Sequence, residues 1–291
     1  MRAQLLRRSG GRGISRQPAR MAEMLNVAER TKRVMRRAIK RRLPRPSETT
    51  GREVVVATYN IHACVGVDRR YDPVRIAAVL RELGADIIGL QEVATRHRGP
   101  VFLDQESFLA AQTELRAVSG LRVIGNRSCF GNAILTRLPI LAVRHIDLSV
   151  DGRAPRTAID ADLEFDGRVL RVIATHFGLH GGERMVQAQR LLAALNGARA
   201  DGVACADAIL IMGDLNEWRG RQGGIRALDR ELGRAPAPRT FPSWCPILPL
   251  DRIYAAAPAM LRDFGVHRSP LARLASDHLP LRARLAWRNA A

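Results

Sequence analysis

The 291 residues are 46% hydrophobic and 26% charged, enough chain for one large core with an appendage. No apolar run reaches the roughly 20 residues of a membrane-spanning helix, which points to a soluble or peripheral protein. The formal charge of +19 is uneven: residues 1–50 hold 15 Arg and Lys against 3 Glu, so the body is only mildly basic and a polyanion-coating surface throughout is excluded.

The basic segment 1–50 cannot bury enough apolar surface to fold alone and reads as a disordered tail. Its second half sets Met24, Val27, Val34, Ile39 and Leu43 among basic residues, a pattern that also suits an amphipathic helix on an anionic membrane. Residues 51–291 form the expected folded domain. Within it the runs EVVVATYN, ADIIGLQEV, VLRVIATHF and AILIMGDLN are rich in β-branched residues and bounded by turns, as buried strands are. Between the first two, Asp72 and Pro73 make an N-cap and first turn, Ile76, Leu80 and Leu83 share a helical face, and Gly84 closes the helix. A second helix is expected over Glu183–Arg199, with Met185, Ala188, Leu192 and Leu195 inward. Cys64, Cys129, Cys205 and Cys245 lack CxxC or zinc-finger spacing, which argues against structural zinc and for reduced thiols in a cytoplasmic protein. The class is α/β, with sheet inside and helices outside.

Each of the four runs passes from apolar residues to polar groups at its carboxyl end: Asn60 and His62, Gln91 and Glu92, Thr175 and His176, Asp214 and Asn216. In layered α/β folds the carboxyl ends of neighbouring strands open on one crevice, so these side chains are expected to meet there. His62, two residues after Asn60, falls on the same sheet face. LDRIY and SDHLP add Asp251, Asp277 and His278. An Asx-turn explains Asp214 by itself but not its company.

TYNIH, LQEV, GNAILTRLPI, ATHFGL, MGDLNEW, LDRIY and SDHLP, in this order, resemble the endonuclease/exonuclease/phosphatase superfamily with its deoxyribonuclease-I-like fold, from about Val54 to about Trp287. The resemblance implies a two-sheet β-sandwich flanked by helices in four layers, a divalent cation and hydrolysis of a phosphate ester. It makes Glu92 the metal carboxylate, with Asn60 supporting the metal through its amide oxygen and Asp277 completing the shell. The ion is magnesium, with manganese as the alternative, because a hard cation prefers oxygen ligands. Asp214 then activates water, Asn216 and His176 donate to phosphoryl oxygens, and His278 paired with Asp251 is the other candidate base. Arg156 reaches phosphate. Some nucleases of this fold support the histidine corresponding to His176 with a mid-chain Glu, and LRVIGNRSCFGNAILTR has none.

Substrate choice lies in the loops. Trp218 and Trp244 sit beside the expected crevice, suited to stacking on bases or facing lipid. Nucleic acid is the leading expected substrate, acted on by a monomer. A phospholipid or sphingolipid diester at an anionic membrane is the alternative. A non-catalytic adaptor is the reading from another class, and the intact set of carboxylates and imidazoles argues against it.

Overall fold

The computed structural model describes residues 53–98, 101–124, 128–200, 206–219, 223–256 and 259–287. The basic segment 1–50 lies outside them. Two mixed sheets pack face to face. The first runs β11 (Ala259–Val266), β12 (Leu281–Trp287), β1 (Glu53–Asn60), β2 (Ile87–Arg98), β5 (Ser128–Thr136), β4 (Arg116–Ile124), and β3 (Val101–Asp104) pairs with the far end of β2. The second runs β10 (Asp251–Ala255), β9 (Ala208–Asp214), β8 (Arg168–His176), β7 (Thr157–Phe165), β6 (Ile140–Asp147).

Only β1–β2 and β8–β9 pair in parallel among these neighbours. Each such pair needs a crossover, and each crossover is one of the anticipated helices. The first is α1 (Pro73–Leu83): Asp72 caps it by accepting from the Arg75 amide at 2.9 Å, Ile76, Leu80 and Leu83 are buried, and Gly84 closes it at φ 55°. The second crossover is α3 (Gly181–Ala200). Here Ala188 and Leu195 are buried as anticipated, but Met185 is exposed, and the inward positions of its first turns are polar: Glu183, Arg184 and Gln187.

Three apolar clusters account for the layering. Val54, Val56, Ile87, Ile159, Leu210, Met212 and Ile253 lie between the sheets. The outer face of the first sheet is covered by α1, α2 (Gln105–Thr113) and α5 (Pro270–Ala275), through residues such as Ile76, Leu109 and Ala272. α3 and α4 (Gly223–Leu232) cover the second through Leu191 and Leu228. The result is the anticipated four-layer sandwich. Truncating a fully buried residue such as Leu210 to Ala would cost about 2–5 kcal/mol. The outer face of the second sheet also carries an ionic cluster, in which Asp160 of β7 pairs with Arg144 of β6 and Arg171 of β8 while Asp162 takes a second bond from Arg144. Among the described residues no helix is long and apolar enough to cross a membrane.

Candidate active site

Strand alternation builds the site. On β1 the residues facing the second sheet are Val54 and Val56, and the same parity carries Asn60 to that face. On β8, Leu170, Val172 and Ala174 lead to His176; on β9, Ala208, Leu210 and Met212 lead to Asp214; on β10, Ile253 shares its face with Asp251. The stripes that form the inter-sheet core thus continue at one end as Asn60, His176, Asp214 and Asp251, all buried. In register, Asp214 lies opposite both His176 and Asp251. Close backbone approach is needed here: a Cβ on Gly213 would fall 1.9 Å from the Thr175 carbonyl oxygen.

Glu92 arrives by a different device. Between Leu90↔Ala133 and Val93↔Gly131 the β2–β5 register shifts, so Gln91 and Glu92 together face one partner residue. Such a bulge re-aims side chains, and Glu92 takes φ 57° within it. Its carboxylate accepts from Asn60 Nδ2 at 3.0 Å, and the same NH2 group donates to Asp214 Oδ2 at 3.1 Å. The Asn60 amide oxygen accepts from the His62 backbone amide at 3.0 Å. Asn60 therefore turns its NH2, not the oxygen expected to support a metal, toward the two carboxylates. Burial pushes the Glu92 carboxyl up, the Asn60 bond opposes this, and the nearby Asp277 charge adds to it.

Asp214 Oδ1 accepts from the Asn216 backbone amide at 2.9 Å, and Asn216 adopts φ 50°. The Asn216 NH2 donates to the Phe177 carbonyl at 2.9 Å and lies 3.1 Å from His176 Nε2. Arg156 Nη1 lies 3.2 Å from the other ring nitrogen, Nδ1. Both neighbours are donors, so a neutral His176 accepts from one and turns its own N–H toward the other. Burial, opposed by Asp214 and reinforced by the Arg156 charge, pushes His176 down to about 3. The charged neighbour of the His176 Nδ1 nitrogen is thus an arginine, Arg156.

His278 Nδ1 is 3.0 Å from Asp251 Oδ2, and its Nε2 is 3.6 Å from Asp214 Oδ2. Burial opposes its charge, but Asp251 and Asp214 outweigh burial and push it up to about 10. Ligand atoms of Asp214, Asp251 and His278 all lie within 4.8 Å of one another. Ser276 ties this segment to β1 by donating to the Asn60 carbonyl at 2.8 Å. Asp277 reaches outward, 3.8 Å from His62 Nδ1. His62 itself leaves the strand alternation: it begins a one-turn helix at φ 46°, and its ring sits 3.0 Å from the Val65 carbonyl.

The donor set suits a hard divalent cation. Glu92, Asp214, Asp251 and Asp277 bring four carboxylates to one end of the sandwich, and Asp251 Oδ1 is buried with no hydrogen bond.

Of the two tryptophans singled out from the sequence, Trp218 lies under Arg184 and Arg219, at 5.5 and 5.6 Å. Trp244 is exposed. Phe241, from the same loop as Trp244, packs on the His278 ring at 5.0 Å. A support network stands behind Asn216. Buried Arg184 donates to Glu217 from Nε at 3.1 Å and Nη2 at 2.9 Å, and to the Leu179 carbonyl from Nη1 at 2.6 Å. Gln187 accepts from the Gly178 amide at 2.8 Å and donates to Glu183 at 3.1 Å. The available signal was charge and amide groups on the helix face that also carries Ala188, Leu191 and Leu195.

Residues 57–278 match the model of the Endonuclease/Exonuclease/phosphatase family. The chain is 31% identical to protein YbhP of Escherichia coli (strain K12) over 264 residues, covering 82% of this chain and 99% of that protein. It is similar in fold to the crystal structure of an endonuclease/exonuclease/phosphatase from Beutenbergia cavernae (TM-score 0.63, 23% identity, 82% of this chain and 72% of that one). A mannosyl-6-phosphatase from Bacteroides thetaiotaomicron is similar at TM-score 0.63 and 18% identity, over 80% of this chain and 100% of that one.

Proposed function

The chain belongs to the Endonuclease/Exonuclease/phosphatase family, and from that premise we propose that it hydrolyses phosphodiester bonds with the help of a divalent cation. The observation that carries this reading is the convergence of Glu92 and Asp214 on one Asn60 NH2 group, with the His278–Asp251 pair beside them. A binding module has no need of so many buried ionisable groups in one place. Glu92, with Asp277, would hold magnesium, or manganese in its place. The cation supplies neutralisation of phosphoryl charge when bound.

The protein's own groups divide the remaining work. Asp214 orients the attacking water and accepts its proton, beside a His278 that Asp251 and Asp214 keep charged, and the proton then leaves with the departing oxygen. Asp251 holds the imidazole by Nδ1, so that Nε2 faces Asp214. Asn216 and neutral His176 donate to a phosphoryl oxygen, and Arg156, already beside His176, adds positive charge. These groups are indifferent to what flanks the phosphate, so the chemistry serves nucleic-acid and lipid diesters alike. The test is turnover of a soluble chromogenic phosphodiester by purified protein with magnesium. Activity that disappears with EDTA and in Glu92→Gln supports the reading. Undiminished turnover in EDTA refutes the metal-dependent mechanism, and no turnover with any divalent ion refutes diester hydrolysis.

A further inference from the structure

Large apolar side chains that stand exposed are not scattered among the described residues. Among the described residues two, Leu141 and Val143, lie on edge strand β6, and all the others lie in segments at the catalytic end. On one side of the site, Leu179 (63% exposed) and Trp218 (40%) stand in the segments that follow His176 and Asn216. On the other side, Trp244 (69%) and Ile247 (57%) stand in the loop whose Phe241 packs on His278. That loop is anchored, since the Ser243 amide donates to the Asp277 carbonyl at 2.7 Å and the Ile247 amide to the Phe241 carbonyl at 2.8 Å. Its apolar side chains are therefore presented outward by a fixed backbone.

On the two segments that carry Trp218, Trp244 and Ile247 the exposed charge has one sign. On segments 215–219 and 234–250 the exposed charged residues are Arg219, Arg234 and Arg239, while the acid there, Glu217, is buried against Arg184. An apolar rim with basic flanks fits two polyanions, and side-chain type separates them. Base stacking needs flat aromatic faces, whereas Leu179 and Ile247 offer branched aliphatic ends that only a hydrocarbon phase rewards. Tryptophan beside such residues is the composition found at a bilayer interface.

We propose that the rim of the site is a membrane-docking surface for anionic phospholipid bilayers, which turns the mouth of the pocket to the lipid headgroups. Docking stands independently of hydrolysis. Only the corollary, that a headgroup phosphodiester is the substrate class, rests on the function proposed above.

The three tryptophans are Trp218, Trp244 and Trp287, none of them in residues 1–50, and Trp287 is buried in the inter-sheet core, so a shift of tryptophan emission on binding reports the rim and not the basic tail. Full-length protein is titrated with vesicles of phosphatidylglycerol and phosphatidylcholine, with pure phosphatidylcholine vesicles, and with a single-stranded oligonucleotide. A blue shift on the anionic vesicles is expected. In the double variant Leu179→Ser/Ile247→Ser, partitioning should weaken by roughly 10-fold or more, with turnover of the soluble diester retained. Sedimentation with anionic vesicles without a blue shift would overturn the proposal, since the tail alone would then make the attachment. Quenching by the oligonucleotide with no spectral response to vesicles would overturn it in favour of a nucleic-acid interface. Loss of diester turnover in the wild type would remove the proposed function and leave the docking result standing.

Discussion

The Arg184–Glu217 pair offers the sharpest test of how this site is held. Its side chains are 4% and 6% exposed, and Arg184 also donates to the Leu179 carbonyl, so a single guanidinium joins the segment after His176 to the segment after Asn216. Glu217→Gln keeps the shape and one acceptor but leaves the arginine buried without its counter-charge. Breaking a buried pair on one side costs about 3–5 kcal/mol. The carbonyl partners retained by Arg184 place the expected loss near the bottom of that range. For a domain of this size about 3 kcal/mol corresponds to a fall in Tm of roughly 6–12 °C. Arg184→Met/Glu217→Leu removes both charges together, and replacement by apolar groups of similar volume is often near neutral, so the double variant should recover most of the stability. Its kcat on a soluble diester should still be low, because Asn216 at φ 50° would have lost its tether. Thermal unfolding and diester turnover of Arg184→Met, Glu217→Leu and the double variant, beside Glu217→Gln, decide the matter. Single variants that melt within about 1 °C of the wild type, or losses that simply add, would show that the pair is not a strut.

Glu92→Gln should lower turnover by roughly 100-fold or more and weaken magnesium binding measured by calorimetry, since the amide keeps the shape but not the ligand charge. Asp251→Asn and His278→Ala should each lower kcat by roughly 100-fold, with the double variant little worse than either; multiplicative losses would show that the two act separately. Burial works against the charge of Asp160, but Arg171 and Arg144 outweigh it and hold its carboxyl below the usual range. A depressed folded pKa stabilises the protein above the unfolded value of about 3.9 and ceases to do so as pH falls through the folded one. Asp160→Asn should therefore cost about 3 kcal/mol or more at neutral pH, and the gap in urea midpoint between it and the wild type should close only below about pH 4. A gap unchanged down to pH 2 would mean that the cluster contributes through packing alone.

Much of the fold was legible because burial and alternation coincide in these strands. EVVVATYN is β1 residue for residue, and AILIMGD is β9. The helix over Pro73–Leu83 was legible from its cap, its apolar face and its closing glycine, three local signals that agree. Met185 misled because periodicity counts apolar residues. The burial pattern of α3 instead follows Arg184 and Gln187, which are satisfied inside by Glu217, Gly178 and Glu183. A charged side chain on a buried face is visible in a sequence, but its partner, 33 residues away, is not.

The candidate site divides along the same line. Asn60, His176, Asp214 and Asp251 continue strand parities already set by apolar residues, so reading each core stripe one step further leads to them. Glu92 cannot be reached in that way. In an unbroken β2 the parity of Ile88 and Leu90, both packed against the helices, would carry Glu92 toward α1 and away from Asn60. The register shift opposite Asn132 and the left-handed backbone at φ 57° turn it to the other side. A non-glycine residue there costs on the order of 1–3 kcal/mol, and the same shift brings Val93, which unbroken alternation would turn toward the second sheet, into the helix-facing cluster. The strain falls on the one residue that must leave its strand's parity to join Asp214 at the Asn60 amide, so straightening the strand would relieve the backbone and dismantle the site.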